Sequence, residues 1–156
     1  MTLPAREPSL NPEQGLIIVS CSRRKLVTTD PVPALDLYQG ALVPHLRKHL
    51  GPGYRPRIRI LSAEHGLLHP QDLVGTYDHQ LRSHGQAHTL QHRVGARLTA
   101  DLGEPVLRQV LVVLEPLYLI AAACLFDHVD AVGLTLLPDP GDWPGASAVL
   151  SRWGWL

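Results

Sequence analysis

Gly15-Leu-Ile-Ile-Val-Ser-Cys-Ser-Arg-Arg-Lys25 is the stretch on which the reading of this chain turns. Leu16, Ile17, Ile18 and Val19 run without a polar break, and three of the four are β-branched. Such a run predicts a strand covered on both faces, as in a parallel sheet. It stops abruptly in Ser20, Cys21 and Ser22, followed by three cations. A second strand is expected at Arg57–Ser62, a third at Val106–Leu114 and a fourth at Ala131–Leu137. Between them the spacing predicts helices over Ala34–Leu50, broken or kinked at Pro44, and over Gln86–Leu102, Leu117–Phe126 and Ala146–Trp155. Leu67–Asp78, with Pro70 and Gly75, reads as an ordered loop. Strands alternating with helices define an α/β domain, expected over 15–156 behind a loose, proline-broken lead-in at 1–14.

The chain has 156 residues, 45% of them hydrophobic and 18% charged. One ordinary domain of that length buries enough surface to need neither metal nor disulfide. The apolar content excludes disorder as the main state, and no apolar run approaches the roughly 18 residues of a membrane span. With no recognisable export signal, the expectation is a cytoplasmic protein in which Cys21 and Cys124 stay reduced. Fourteen basic residues balance fourteen acids, but unevenly along the chain. Residues 23–59 hold eight basic residues against Asp30 and Asp36, while residues 101–156 hold seven acids against Arg108 and Arg152. The basic segment is a candidate face for phosphate or nucleic acid, or simply a solvated surface.

Ligands of open parallel sheets bind beyond the carboxyl ends of the strands. The first two expected strands end in Ser20-Cys21-Ser22 and Ser62-Ala63-Glu64-His65-Gly66, and the third at Glu115, one turn before Tyr118. Cys21, beside three cations, is a candidate nucleophile or a small packing residue. Lys25 is a candidate phosphate ligand or amine nucleophile. Glu64 and His65 together can divide acid and base work, and Gly66 lets the backbone pass close to a ligand; the alternative is a capped turn. Tyr77 and Asp78 offer a ring and a carboxylate. His84, His88 and His92 recur every four residues on one helix face, but no further ligand completes a zinc pattern, so neither metal nor cofactor is expected.

The segments LIIVSCSRRK at 16–25, ALDLYQGAL at 34–42, ILSAEHGLL at 60–68, TYD at 76–78, VLVVLEPLY at 110–118 and GASAVLSRWGWL at 145–156 occur in fixed order. As a set they resemble a widespread family of small bacterial and phage proteins of uncharacterised function. More remotely, the Ser-Cys start followed by basic residues is similar to a segment of archaeosine synthase, which works on a deazaguanine base in tRNA and is itself similar to the uracil-DNA glycosylase fold. The Lys-Pro-Tyr-Ser run of that synthase does not occur in this chain. The resemblance implies a three-layer α/β/α sandwich on a mainly parallel sheet of about four strands. It also implies work on nucleobases or nucleotides.

Residue by residue, the family pattern falls on Ser20, Cys21, Ser22, Lys25, Tyr38, Ser62, Glu64, His65, Gly66, Tyr77, Asp78 and Tyr118. On this reading the protein is an enzyme acting on a nucleobase, nucleoside or nucleotide, by C–N bond cleavage or base modification. Cys21, Glu64 and His65 would be catalytic, Tyr38 or Tyr77 would stack the base, and Ser20, Ser22 and Lys25 would hold phosphate or ribose. The competing expectation is a non-catalytic module that binds nucleic acid or nucleotide through residues 23–59.

Overall fold

Leu16, Ile17, Ile18 and Val19 are completely buried, as a strand with apolar side chains on both faces demands. Each such burial contributes roughly 1.5–3 kcal/mol. In the computed structural model, which describes residues 9–128 and 130–156, they form β1 (Gly15–Ser20) at the centre of a five-stranded sheet. β1 pairs in parallel with β3 (Ile58–Ser62) on one side and β6 (Gln109–Val113) on the other. β7 (Gly133–Leu137) continues in parallel from β6, and β4 (Gly66–Leu68) turns back antiparallel on β3, giving the order β4-β3-β1-β6-β7. A small antiparallel pair, β2 (Val32–Pro33) and β5 (Leu73–Val74), lies outside this sheet.

The protein is thus an α/β domain with a mainly parallel sheet, but with one strand more than the four expected. The missing strand is β4, inside the stretch read as a loop. Two leucines after a glycine are too few to show a period, and only the pairing with β3 defines them as a strand.

Helices cover both faces. α3 (His84–Leu102) starts where the Ser83 hydroxyl accepts the Gln86 N–H at 3.1 Å, and buries Ala87, Leu90, Val94 and Leu98. It packs with α4 (Pro116–Ala121) and the 3-10 turns of Ala123–His128. Pro44 does divide the expected Ala34–Leu50 helix, into α1 (Ala34–Leu37) and α2 (Val43–His49). α2 meets α5 (Trp143–Arg152) where Trp143 stacks against His45 and His49, with ring centroids 5.1 and 5.2 Å away. α5 starts earlier than expected because the Asp142 carboxylate accepts the Gly145 N–H at 2.9 Å.

Residues 1–8 of the expected lead-in lie outside the described residues. The Leu10 N–H donates to the Trp153 carbonyl at 2.9 Å, and the Trp155 indole donates to the Leu10 carbonyl at 3.0 Å. Trp155 lies so close over Gly15 that a Cβ there would come within 2.6 Å of the ring, so the strand must begin with glycine.

The eight basic residues of 23–59 do not share one role. Arg59 is buried within β3 and holds Asp101 by two hydrogen bonds of 2.9 and 3.1 Å. Arg47 donates to the Leu35 carbonyl, Arg55 to those of Leu50 and Arg47, and Arg57 to that of Gly15. These four guanidinium groups bind the protein's own backbone and carboxylates. Arg23 and Arg24 are exposed, and their side chains have no partner among the described residues.

Candidate functional site

From β1 the chain passes to β3 on one side; after β4 and α3 it crosses β1 and enters β6 on the other. The carboxyl end of β1, between β1 and β6, is therefore the topological switch point, where the following loops diverge and leave a crevice. A cleft of about 380 Å³ lies there. The end of β1 and the loop after it supply Ser20, Cys21, Ser22, Arg23 and Arg24, the start of α4 beyond β6 supplies Glu115 and Tyr118, and Gly40, Ala41, Gln80, Pro140 and Gly141 complete it.

Cys21 stays in register after the strand ends, its N–H donating to the Leu61 carbonyl at 2.9 Å. Its Sγ lies 3.6 Å from the Tyr118 hydroxyl, which also accepts the Leu81 N–H at 3.4 Å. Burial pushes the Tyr118 phenol above its ordinary value, and negative charge on Cys21 would push it further. The hydroxyl therefore keeps its proton and can donate it to a thiolate. Ser22 shapes the loop: its Oγ donates to the Arg24 carbonyl at 2.6 Å and accepts the Gly40 N–H at 3.1 Å. The next residue, Ala41, has φ +55°, a left-handed conformation that costs a non-glycine residue on the order of 1–3 kcal/mol.

A second cluster sits behind this cleft. The chain after Cys21 doubles back so that Lys25 pairs with Tyr38. The Tyr77 hydroxyl lies 2.6 Å from Tyr38 Oη and 2.6 Å from Ser62 Oγ. Ser62 Oγ already accepts the N–H groups of Glu64 and His65 at 3.2 and 3.1 Å, so its proton goes to Tyr77 and that of Tyr77 to Tyr38. Burial raises the Tyr38 phenol to about 12 and drives Tyr77 upward as well. Both are neutral near pH 7. The Lys25 ammonium lies 4.3 Å from the Tyr77 ring centroid, and the His65 ring meets the edge of that ring at 5.1 Å.

Tyr38 is wholly buried, so no face of its ring is left on which a base could stack, and Ser62, from the same family pattern, is wholly buried beside it. They hold together the β1 loop, the end of α1, the β3–β4 turn and the irregular segment that carries Tyr77. Gly66 has φ +77°, and an added Cβ would lie 3.3 Å from the Arg93 side chain, which crosses the turn to donate to the Glu64 carbonyl. Its role is to permit that turn.

Glu64 and His65 line a neighbouring cleft of about 930 Å³ that also contains His79, Leu81, His92 and Arg93. The segment 79–81 runs between, with Gln80 lining one cleft and His79 and Leu81 the other. The Glu64 carboxylate meets His79 Nδ1 at 2.6 Å, a hydrogen bond that holds its carboxyl below the usual range. The expected grouping of Cys21, Glu64, His65 and Tyr118 is thus divided: Cys21 with Tyr118 in one cleft, Glu64 with His65 and His79 in the other. Asp78 is exposed and has no hydrogen-bond partner among the described residues. His84, His88 and His92 lie on the exposed side of α3.

Several members of the smaller cleft carry no motif of their own. Gln80, Ala41 and the Pro140-Gly141 pair arrive from loops far apart in sequence, and only the tertiary fold assembles them. Arg23 and Arg24 were visible as cations, but their free state shows only beside the engaged arginines.

Fold and site define an α/β protein with a thiol-bearing cleft at the switch point of a parallel sheet. The chain belongs to a family of unknown function (DUF6884), whose sequence profile matches residues 16–121, from β1 to the end of α4. The match spans Cys21, Tyr38, Ser62, Tyr77 and Tyr118. No curated protein and no solved structure matches the chain.

Proposed function

We propose that the protein is an enzyme that acts on a nucleobase, nucleoside or nucleotide, cleaving or exchanging a C–N bond in the cleft between β1 and β6. The observation that carries this reading is the Cys21 thiol, held against the Tyr118 hydroxyl at the switch point, with Arg23 and Arg24, exposed and unpaired among the described residues, at the rim. As the Cys21 sulfur bonds to the electrophilic carbon of an anionic substrate, the C–N bond breaks and the thiol proton goes to the departing nitrogen. Water or an incoming amine then displaces the sulfur, while the Tyr118 hydroxyl and the two guanidinium groups offset the negative charge. The similarity of the Ser20-Cys21-Ser22 strand end to the base-modifying archaeosine synthase segment supports a base as the reacting group. Cys21 is the reactive residue, Tyr118 stabilises its anion, Arg23 and Arg24 bind phosphate, and Gln80 and Glu115 face the base.

Turnover is tested by mass spectrometry on a panel of nucleosides, nucleotides and tRNA, with Cys21→Ala, Tyr118→Phe and an Arg23→Gln/Arg24→Gln double variant. Cys21→Ala should abolish turnover and Tyr118→Phe should reduce it. The double variant should raise KM for phosphorylated substrates only. Full activity of Cys21→Ala, or no turnover of any panel member, refutes the assignment.

A further inference from the structure

The two edges of the sheet are treated differently. On the β4 side the edge strand has three residues, and Arg97 and Arg93 cross from α3 to donate to the carbonyls of Leu67 and Glu64 at 2.8 Å each. β7, at the opposite edge, has five residues and carries no charge, proline or bulge, the devices that ordinarily protect an edge. In its parallel register with β6, Gly133 donates to the Arg108 carbonyl and Leu137 accepts from Leu114, so alternate residues face inward. The N–H and C=O groups of Leu134 and Leu136 face outward and have no partner among the described residues. Alongside runs an apolar groove of about 650 Å³, lined by Leu119, Ile120, Ala123, Phe126 and Leu136 among others. Phe126 and Leu136 are 46% and 43% exposed.

Charge selects the occupant. From Gln109 to Ser151 the chain contains no lysine or arginine and five acids: Glu115, Asp127, Asp130, Asp139 and Asp142. The exposed Asp127 and Asp130 precede β7, and the exposed Asp139 follows it. A second copy added antiparallel about Thr135 would bring the Asp130 end of one strand against the Asp139 end of the other, an unfavourable like-charge contact.

We propose that β7 receives an extended peptide with apolar residues at alternate positions and Lys or Arg at both ends. The peptide adds as a sixth strand to the sheet, its main chain bonding Leu134 and Leu136, one apolar side chain entering the groove and its terminal cations meeting the flanking aspartates. This surface is independent of the reaction in the β1–β6 cleft.

The probe is a fluorescein-labelled peptide, Lys-Lys-Val-Thr-Val-Thr-Val-Lys-Lys, titrated by anisotropy against the full chain. Its counterpart has Glu in place of every Lys. The cationic peptide should bind at least about tenfold more tightly than the acidic one and weaken with salt. Leu136→Lys should reduce its affinity by about tenfold or more. An Asp127→Lys/Asp130→Lys variant, altered only at exposed positions, should reverse the preference between the two peptides, and it serves if Leu136→Lys fails to fold. Equal affinity for both peptides, or no binding up to about 1 mM, overturns the proposal. So does a wild-type dimer in sedimentation that Leu136→Lys dissociates, which would assign the edge to a second copy.

Discussion

Replacing Tyr77 by phenylalanine removes one oxygen and leaves the ring against His65 and beneath Lys25. That oxygen is the middle member of a three-hydroxyl chain, 2.6 Å from Tyr38 and 2.6 Å from Ser62. Both neighbours are fully buried, so no water takes its place. Two hydrogen bonds contribute about 0.5–1.5 kcal/mol each, and Ser62 is left as a buried donor without an acceptor, which costs about 1–3 kcal/mol more. Because Tyr77 itself is half-buried and the site can relax, the expected loss is about 2–3 kcal/mol. For a domain of this length that lowers Tm by roughly 4–12 °C. Urea unfolding should show a lower midpoint at unchanged m-value. Tyr118→Phe is the internal control: its hydroxyl makes only long contacts of 3.6 and 3.4 Å, and its loss should cost under about 1 kcal/mol. If Tyr77→Phe is neutral, or no worse than Tyr118→Phe, the hydroxyl chain does not hold the loops together.

Asp101→Ala leaves the buried Arg59 guanidinium without its carboxylate and should destabilise by about 3 kcal/mol, moderated by its remaining bonds to the Pro56 and Ile58 carbonyls. The Arg59→Met/Asp101→Leu double variant should recover most of that loss in the same urea titration, since it removes both charges together. Burial tends to raise the Asp72 carboxyl, but the hydrogen bonds from Arg97 and the His69 N–H outweigh it and hold the carboxyl below its ordinary 3.8. A folded-state pKa below the unfolded one means that the unfolded chain binds more protons in this window. The contribution is therefore complete above about pH 5 and is lost as pH falls through the folded value. Asp72→Asn should flatten the urea midpoint against pH between about 5 and 2, and only slightly, because the pair is partly exposed to solvent.

Much of the β-sheet was legible because its signal is local. Leu16–Val19 is an unbroken, mostly β-branched apolar run that reads as a covered strand, and ligands of a parallel sheet collect beyond the carboxyl ends of such strands. Cys21 and Tyr118 were both identified from strand ends, and the structure places them 3.6 Å apart. The basic run 23–59 divides into engaged and exposed residues for a physical reason. A guanidinium group is as ready to bind a backbone carbonyl of its own chain as a phosphate, and the sequence does not distinguish the two. Glu64 and His65 were equally visible, yet the β3–β4 turn places them in the neighbouring cleft with His79 and Leu81, not in the one lined by the thiol.

Hydrophobic pattern by itself determined that this chain is an α/β domain whose polar strand ends lie beyond a buried central strand, since burial follows from residues adjacent in sequence. Tertiary structure alone decided which of those ends share a cleft, which arginines remain free, and which sheet edge stays open. Those outcomes depend on loop paths and strand order, and contacts between residues 39 to 97 positions apart leave no periodic trace in the chain.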